Sequence, residues 1–311
     1  MRTILSKPLE VLILASALIF PATVFSQSQI QNPPAQKQTA VTSIDAHNIA
    51  KEISKSRNNP ERASYVAKLA EEASKRLGRE LVIQQIYING DKERPLSERF
   101  GNKNYIIPSK SPNPITIGAH YDAADYDSVN NQTVPGANDN GSGVGTLAEL
   151  TLLPDADNIE FVFLGSEERD RDGARQYSSE LRNRPRLFIS LDTVGKGEIL
   201  NPDGIYGMKG IEEKSNIFPT DTRANQIFRE ICRRKGLKVL TEDLEASGDQ
   251  SEFVIRKIPT FVYQRVDEKF IGDDKEDGDM HTLRDDERWL DENQMRENIQ
   301  LLSEFIGAVK K

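Results

Sequence analysis

Apolar and polar positions alternate along the chain with two different periods. Val66, Leu69, Ala70, Ala73 and Leu77 recur three and four residues apart, which predicts an amphipathic helix lying on a sheet. Asn59 reads as its N-cap, Pro60 as its first residue and Gly78 as its stop. Met295, Ile299, Leu302, Ile306 and Val309 form a similar stripe near the C-terminus. Unbroken apolar runs over Ile159 to Leu164 and Leu187 to Leu191 predict strands buried on both faces. Further strands are predicted over Leu81 to Ile88 (with a turn at Asn89-Gly90), Tyr105 to Ile107, Ile115 to Gly118 and Thr260 to Tyr263. Helices are predicted over Ile44 to Ile53, Gly173 to Leu181, Thr222 to Lys235 and Asp249 to Ile255, and over Ser142 to Leu152, where Asn140 starts the helix and Pro154 closes it. Strands alternating with helices imply an α/β layered sheet. There is no internal repeat and no second linker after Thr42, so residues 43–311 read as a single domain.

The first residues change the picture. Arg2 and Lys7 precede the apolar run Val11 to Phe20, and Val24-Phe25-Ser26 offers a small residue for cleavage. Residues 1–26 therefore read as a signal peptide, which places the protein outside the cytoplasm, secreted or periplasmic. The run is short for a membrane span, so none is expected after cleavage; an uncleaved anchor is the alternative. Residues 27–42, rich in Gln, Pro, Ser and Thr, read as a flexible linker. The formal charge of −8 argues against nucleic acid as the main partner. Cys232 is the only cysteine, so no intrachain disulfide forms, and its helical setting reads as packing.

Candidate chemistry gathers between Ile115 and Glu168. One apolar run stops at His120, a Gly-rich turn carries Asp139, and another run stops at the pair Glu167-Glu168. Strand ends followed by loops are where an α/β sheet presents its chemistry. Asp192 ends a further buried strand, and His281 comes from a late loop. Imidazole and carboxylate donors without thiolate suit zinc, with manganese or cobalt as alternatives. Of the paired glutamates, one can face a metal and the other can carry a proton. Each residue also has a plainer reading. Arg169 to Asp172 continue a charged loop, and a buried Asp192 is satisfied as well by an arginine as by a metal. Asp122 reads as support for the His120 imidazole or as a loop carboxylate.

Five pieces in order carry a resemblance: His120-Tyr121-Asp122, the turn Gly136 to Gly143, Ser166-Glu167-Glu168, Leu191 to Gly195, and His281-Thr282. Together they resemble the secreted dizinc aminopeptidase family, a branch of the group that includes glutamate carboxypeptidase and the glutaminyl cyclases. The resemblance implies a three-layer sandwich, with a mixed, mainly parallel eight-stranded sheet between helices. It implies two zinc ions, with Asp139 bridging them, His120 and Asp192 completing one site, and Glu168 and His281 the other. Glu167 would be the general base and then the proton donor to the leaving amine, Asp122 would support the His120 side, and a peptide would be the substrate. The chain departs from the family at Gln250, where His or Tyr is frequent, at Glu252, where Pro is frequent, and after Thr282, where Pro is missing. Rival readings are a one-zinc glutaminyl cyclase, a carboxypeptidase of the same fold, and a non-catalytic binding module. The acidic run Asp273 to Asp279 reads as a solvated loop.

Overall fold

The computed structural model describes residues 44–88, 91–206, 217–243, 248–267 and 279–310. Helix α1 (Ala46–Ile53) starts where the Asp45 carboxylate accepts the N–H of Asn48. Helix α2 (Asn59–Leu77) is capped by Asn58, whose side chain accepts the N–H of Glu61. The cap thus lies one residue earlier than expected, and Asn59 turns inward. Gly78 (φ 60°) ends the helix in the left-handed conformation.

The chain next forms β1 (Val82–Gln85), β2 (Lys103–Ile107), β3 (Ile115–His120) and a hairpin of β4 (Asp125–Asp127) and β5 (Gln132–Thr133). A wide turn over Ala137–Ser142 leads into α3 (Gly143–Leu150), then β6 (Ile159–Leu164), α4 (Asp172–Ser179) and β7 (Leu187–Leu191). Three short strands follow, β8 (Glu198–Leu200), β9 (Gly204–Tyr206) and β10 (Ile217–Pro219). Then come α5 (Thr222–Arg234), β11 (Val239–Leu240), α6 (Gln250–Ile255), β12 (Thr260–Val266) and α7 (Glu292–Val309).

Eight strands form one sheet in the order β1-β2-β6-β3-β7-β12-β8-β11. The central four, β6, β3, β7 and β12, are parallel, as are β8 and β11. The β1–β2, β2–β6 and β12–β8 pairs are antiparallel. This is the layered α/β sheet that the alternation predicted, with the eight strands and the mixed, mainly parallel order that the resemblance implied. Strand β1 is shorter than expected because Tyr87 bridges Pro95 and Ile88 bonds Arg94. Its expected turn at Asn89-Gly90 lies outside the described residues. Strands β4, β5 and β8 to β11 went unread because two or three residues carry no period.

The two sheet faces explain the unbroken apolar runs. In β6, Ile159, Phe161 and Phe163 face a core shared with α2, α3, α5 and α7, whereas Val162 and Leu164 face α4 and α6. Phe228 of α5 sits edge-on to Phe261, Tyr263 and Phe305. Burying a ring of this size stabilises the fold by roughly 1.5–3 kcal/mol. Cys232 is buried in the same core, as expected. The stripe of α7 is centred one residue off the expected one and includes a fully buried Asn298. Its side chain accepts from Tyr263 at 2.6 Å and Arg265 at 2.7 Å and donates to the carbonyl of Val194 at 2.7 Å. An asparagine among apolar residues hides such a stripe, since only its partners justify the position.

The described residues fall in one compact unit, Val41–Lys311. Among them no helix is long and apolar enough to cross a membrane. The expected leader 1–26 and linker 27–42 lie outside the described residues, as does 268–278, which holds most of the acidic run.

Candidate metal centre

Three neighbouring parallel strands deliver the donors to one edge of the sheet. His120 is the last residue of β3, Glu167 and Glu168 follow β6, and Asp192 follows β7. Because β3 pairs with both β6 and β7, these residues are adjacent through the hydrogen-bond ladders.

Asp139 arrives from the wide turn, which is bonded on two sides. The Asp285 carboxylate accepts the N–H of Asn138 at 2.8 Å and of Asp139 at 3.0 Å, and its carbonyl accepts that of Ala137. On the other side, Asn138 accepts from the N–H of Gly195 and Ser142 from that of Val194, both at 2.8 Å. Asn140 donates to the carbonyl of Leu191 at 2.9 Å. The polar residues of the turn therefore fasten Asp139 to the stretch carrying Asp192. They also delay the expected helix, which begins at Gly143 after Asn140 and Ser142 have served the turn. Gly136 is required here: its φ is 53°, and a Cβ would lie 2.4 Å from the carbonyl oxygen of Asp139.

The five expected donors come together in two groups that share Asp139. His120 Nε2 lies 3.2 Å from Asp139 Oδ1 and 3.5 Å from Asp192 Oδ1. His281 Nε2 lies 3.2 Å from Asp139 Oδ2 and 3.2 Å from Glu168 Oε2. Each oxygen of Asp139 thus serves a different group. Donors held 2.0–2.2 Å from a tetrahedral zinc are spaced roughly 3.3–3.6 Å apart, so both groups fit. His47, on α1, belongs to neither.

Charge supports the fit. Asp122, Asp139, Glu167, Glu168, Asp192, Asp249 and Asp285 crowd one region, and buried carboxylates are costly without compensation. Asp192 Oδ1, Glu168 Oε1 and both oxygens of Asp249 are buried with no hydrogen-bond partner. Burial pushes Glu168 up to about 7 and Asp249 to about 8, and holds the Glu167 carboxyl well above the usual carboxylate range. Burial opposes a charge on His120, but Asp122, Asp139 and Asp192 outweigh it and raise its pKa. Asp139 and Glu168 raise that of His281 to about 11.

Asp122 is 1% exposed and stands between two strand ends. Its main-chain carbonyl, not its carboxylate, is the nearer partner of His120 Nδ1, at 3.3 Å against 3.7 Å. The carboxylate instead accepts the N–H groups of Glu167 and Glu168. Gln250 is buried, and its Oε1 accepts the Ser190 hydroxyl at 3.3 Å. Glu252 pairs with Arg256 at 2.7 Å and Arg175 at 3.5 Å, so the departure from proline is matched by arginines. Sequence reasoning passed over Asp249 and the cradle made by Asp285. Their spacing from the donors gives no sign that they fold against them.

The sequence pattern of peptidase family M28 matches residues 104–306, well over half of the chain. The chain belongs to that family. Leucine aminopeptidase 1 of Trichophyton rubrum is 28% identical over 242 residues, which cover 71% of this chain and 62% of that protein. The chain thus spans less than two thirds of the length of that relative. Among solved structures, LapB of Legionella pneumophila superposes with a TM-score of 0.64 at 17% identity, covering 85% of this chain and 71% of its own. Glutaminyl cyclase of Bacteroides thetaiotaomicron gives 0.63 at 21%, covering 84% and 96%. These likenesses show a shared fold.

Proposed function

We propose that the chain is an exported metallo-aminopeptidase that uses two zinc ions to remove N-terminal residues from peptides. The observation that carries this reading is the division of Asp139, one oxygen to the His120 group and one to the His281 group. His120, Asp139 and Asp192 would hold one ion, and Asp139, Glu168 and His281 the other. Zinc, when bound, supplies Lewis acidity that polarises a carbonyl and lowers the pKa of a coordinated water to about 7.

The chain supplies the rest. Glu167 takes a proton from the attacking water as its oxygen bonds to the scissile carbonyl carbon. It then gives that proton to the departing amine nitrogen as the C–N bond breaks. Asp122 holds the Glu167 backbone, which sets where that carboxylate points. The leader read in the sequence supports export, and the family supports a peptide as substrate.

Glu167→Gln tests the reading. The variant is expected to keep its zinc and to lose roughly 10²–10⁴-fold in turnover of amino-acid anilides, the usual share of a general base. Near wild-type turnover would refute the assignment. A Gln-initiated peptide run in parallel separates the rivals. Ammonia loss without shortening marks a cyclase, release of the C-terminal residue a carboxypeptidase, and no conversion a binding module.

A further inference from the structure

Arg62 heads the largest fully buried side chains among the described residues, at 0% exposed. It lies on the inward stripe of α2, four residues before Val66, where a helix that only packs would carry an aliphatic residue. Burying a guanidinium is costly unless its hydrogen bonds are met.

Here they are met by two loops of the centre. Nε donates to the carbonyl of Tyr121 at 2.6 Å, Nη1 to that of Pro135 at 2.7 Å and Nη2 to that of Gly136 at 3.2 Å. Tyr121 directly follows His120, and Gly136 opens the turn that carries Asp139. One helical turn earlier, Asn59 exchanges hydrogen bonds with Ala123, donating at 3.1 Å and accepting at 2.9 Å. The first turn of α2 therefore grips both ends of the segment that joins His120 to Asp139. Burial lowers the Arg62 pKa, and Asp122, Asp285, Asp139 and Glu168 offset part of that cost.

We propose that Arg62 is a positioning residue of the metal centre: its planar fork sets the separation of the His120 and Asp139 loops, so that one carboxylate can meet both donor groups. This rests on the reading that those groups hold metal. A rigid fork with several donors suits the task; a lysine ammonium would carry the charge without the geometry.

Arg79, just past α2, is a matched control. It also donates to two carbonyls, of Pro108 at 3.1 Å and Ile159 at 2.7 Å, but at the start of β6, the far end of that strand from Glu168. Zinc affinity is measured by competition with a chelator, for the wild type, Arg62→Met, Arg62→Lys and Arg79→Met, with circular dichroism reporting folding. Arg62→Met is expected to bind zinc about 10–100-fold more weakly, the range for losing a hydrogen-bond partner behind a metal ligand. Arg62→Lys should fall between it and the wild type, and Arg79→Met should keep wild-type affinity even if less stable.

Wild-type affinity in a folded Arg62→Met overturns the proposal, as does an equal loss in Arg79→Met. If Arg62→Met does not fold, Arg62→Lys decides: wild-type affinity there overturns the proposal, and weaker binding than in Arg79→Met supports it. A wild-type protein that binds no zinc would overturn the metal-centre reading itself. Tight wild-type binding with an unaltered Arg62→Met would overturn the positioning role alone.

Discussion

The carboxylate of Asp122 accepts the backbone N–H of Glu167 at 3.0 Å. Its second oxygen takes the N–H of Glu168 at 3.1 Å. One side chain beyond β3 thus sets the pose of both glutamates beyond β6. Asp122→Asn would turn an amide NH₂ toward one of those donors, leaving a hydrogen bond unmade at a cost of about 1–3 kcal/mol. Turnover is expected to fall about 10–100-fold with zinc retained. Steady-state kinetics alongside metal analysis checks this, and an unchanged kcat would remove Asp122 from the mechanism.

Metal content should respond unequally to two substitutions. Asp139→Ala removes the carboxylate common to both groups and is expected to lose both zinc equivalents. Asp192→Asn touches only the His120 group and should lose one. Elemental analysis after dialysis separates the cases; equal losses would contradict a shared Asp139.

Zinc binding should release protons. Hydrogen bonds to Asp139 and Glu168 push His281 up to about 11 in the metal-free protein, which keeps it charged at neutral pH, and His120 is raised as well. A ligating imidazole must be neutral, so an ion held by the His281 group displaces a proton, and its apparent affinity should rise roughly tenfold per pH unit. The sign for the metal-free fold is opposite. With its folded pKa raised, the stability that His281 contributes is full below about 6.5, the unfolded value, and is lost as pH rises through about 11. Titrating zinc into weakly buffered metal-free protein checks the first claim; a steady pH would contradict it.

Glu160 offers a test away from the centre. It lies within β6, where Tyr177 donates to it and the Thr116 hydroxyl lies 3.4 Å away. Burial raises its carboxyl pKa. A raised pKa means stability that is full below about 4.5 and lost as pH rises through the folded value. Glu160→Gln removes that loss, so its melting temperature should exceed the wild type at pH 7 by more than at pH 4. Equal differences at both values would contradict a buried, titrating Glu160.

His120, Glu168 and Asp192 were legible because buried strands spell themselves as apolar runs, and the residue that breaks a run lies at the sheet's edge. Asp139 was legible from the glycines around it. Arg62 and Asn59 were not, although both occupy the inward stripe of α2, because a polar residue on that stripe reads as its fraying end until its partners are known. Asp285 was hidden for the same reason: Asn138 and Asp139, whose N–H groups it accepts, lie far off in sequence. The cap of α2 was misplaced by one because Asn58 and Asn59 are chemically alike, and only the inward hydrogen bonds of Asn59 to Ala123 and Arg99 tell them apart.

The ladder between β3 and β6 pairs His120 with Leu164 and Ala119 with Phe163. Slipping that ladder by a single step would point the imidazole through the opposite side of the sheet. Placement of His120, Glu168 and Asp192 is therefore inherited from interior strand pairing, and only the segments between strands that carry no donor are free to diverge. New substrate preferences can evolve in those segments without redrawing the chemistry beneath them.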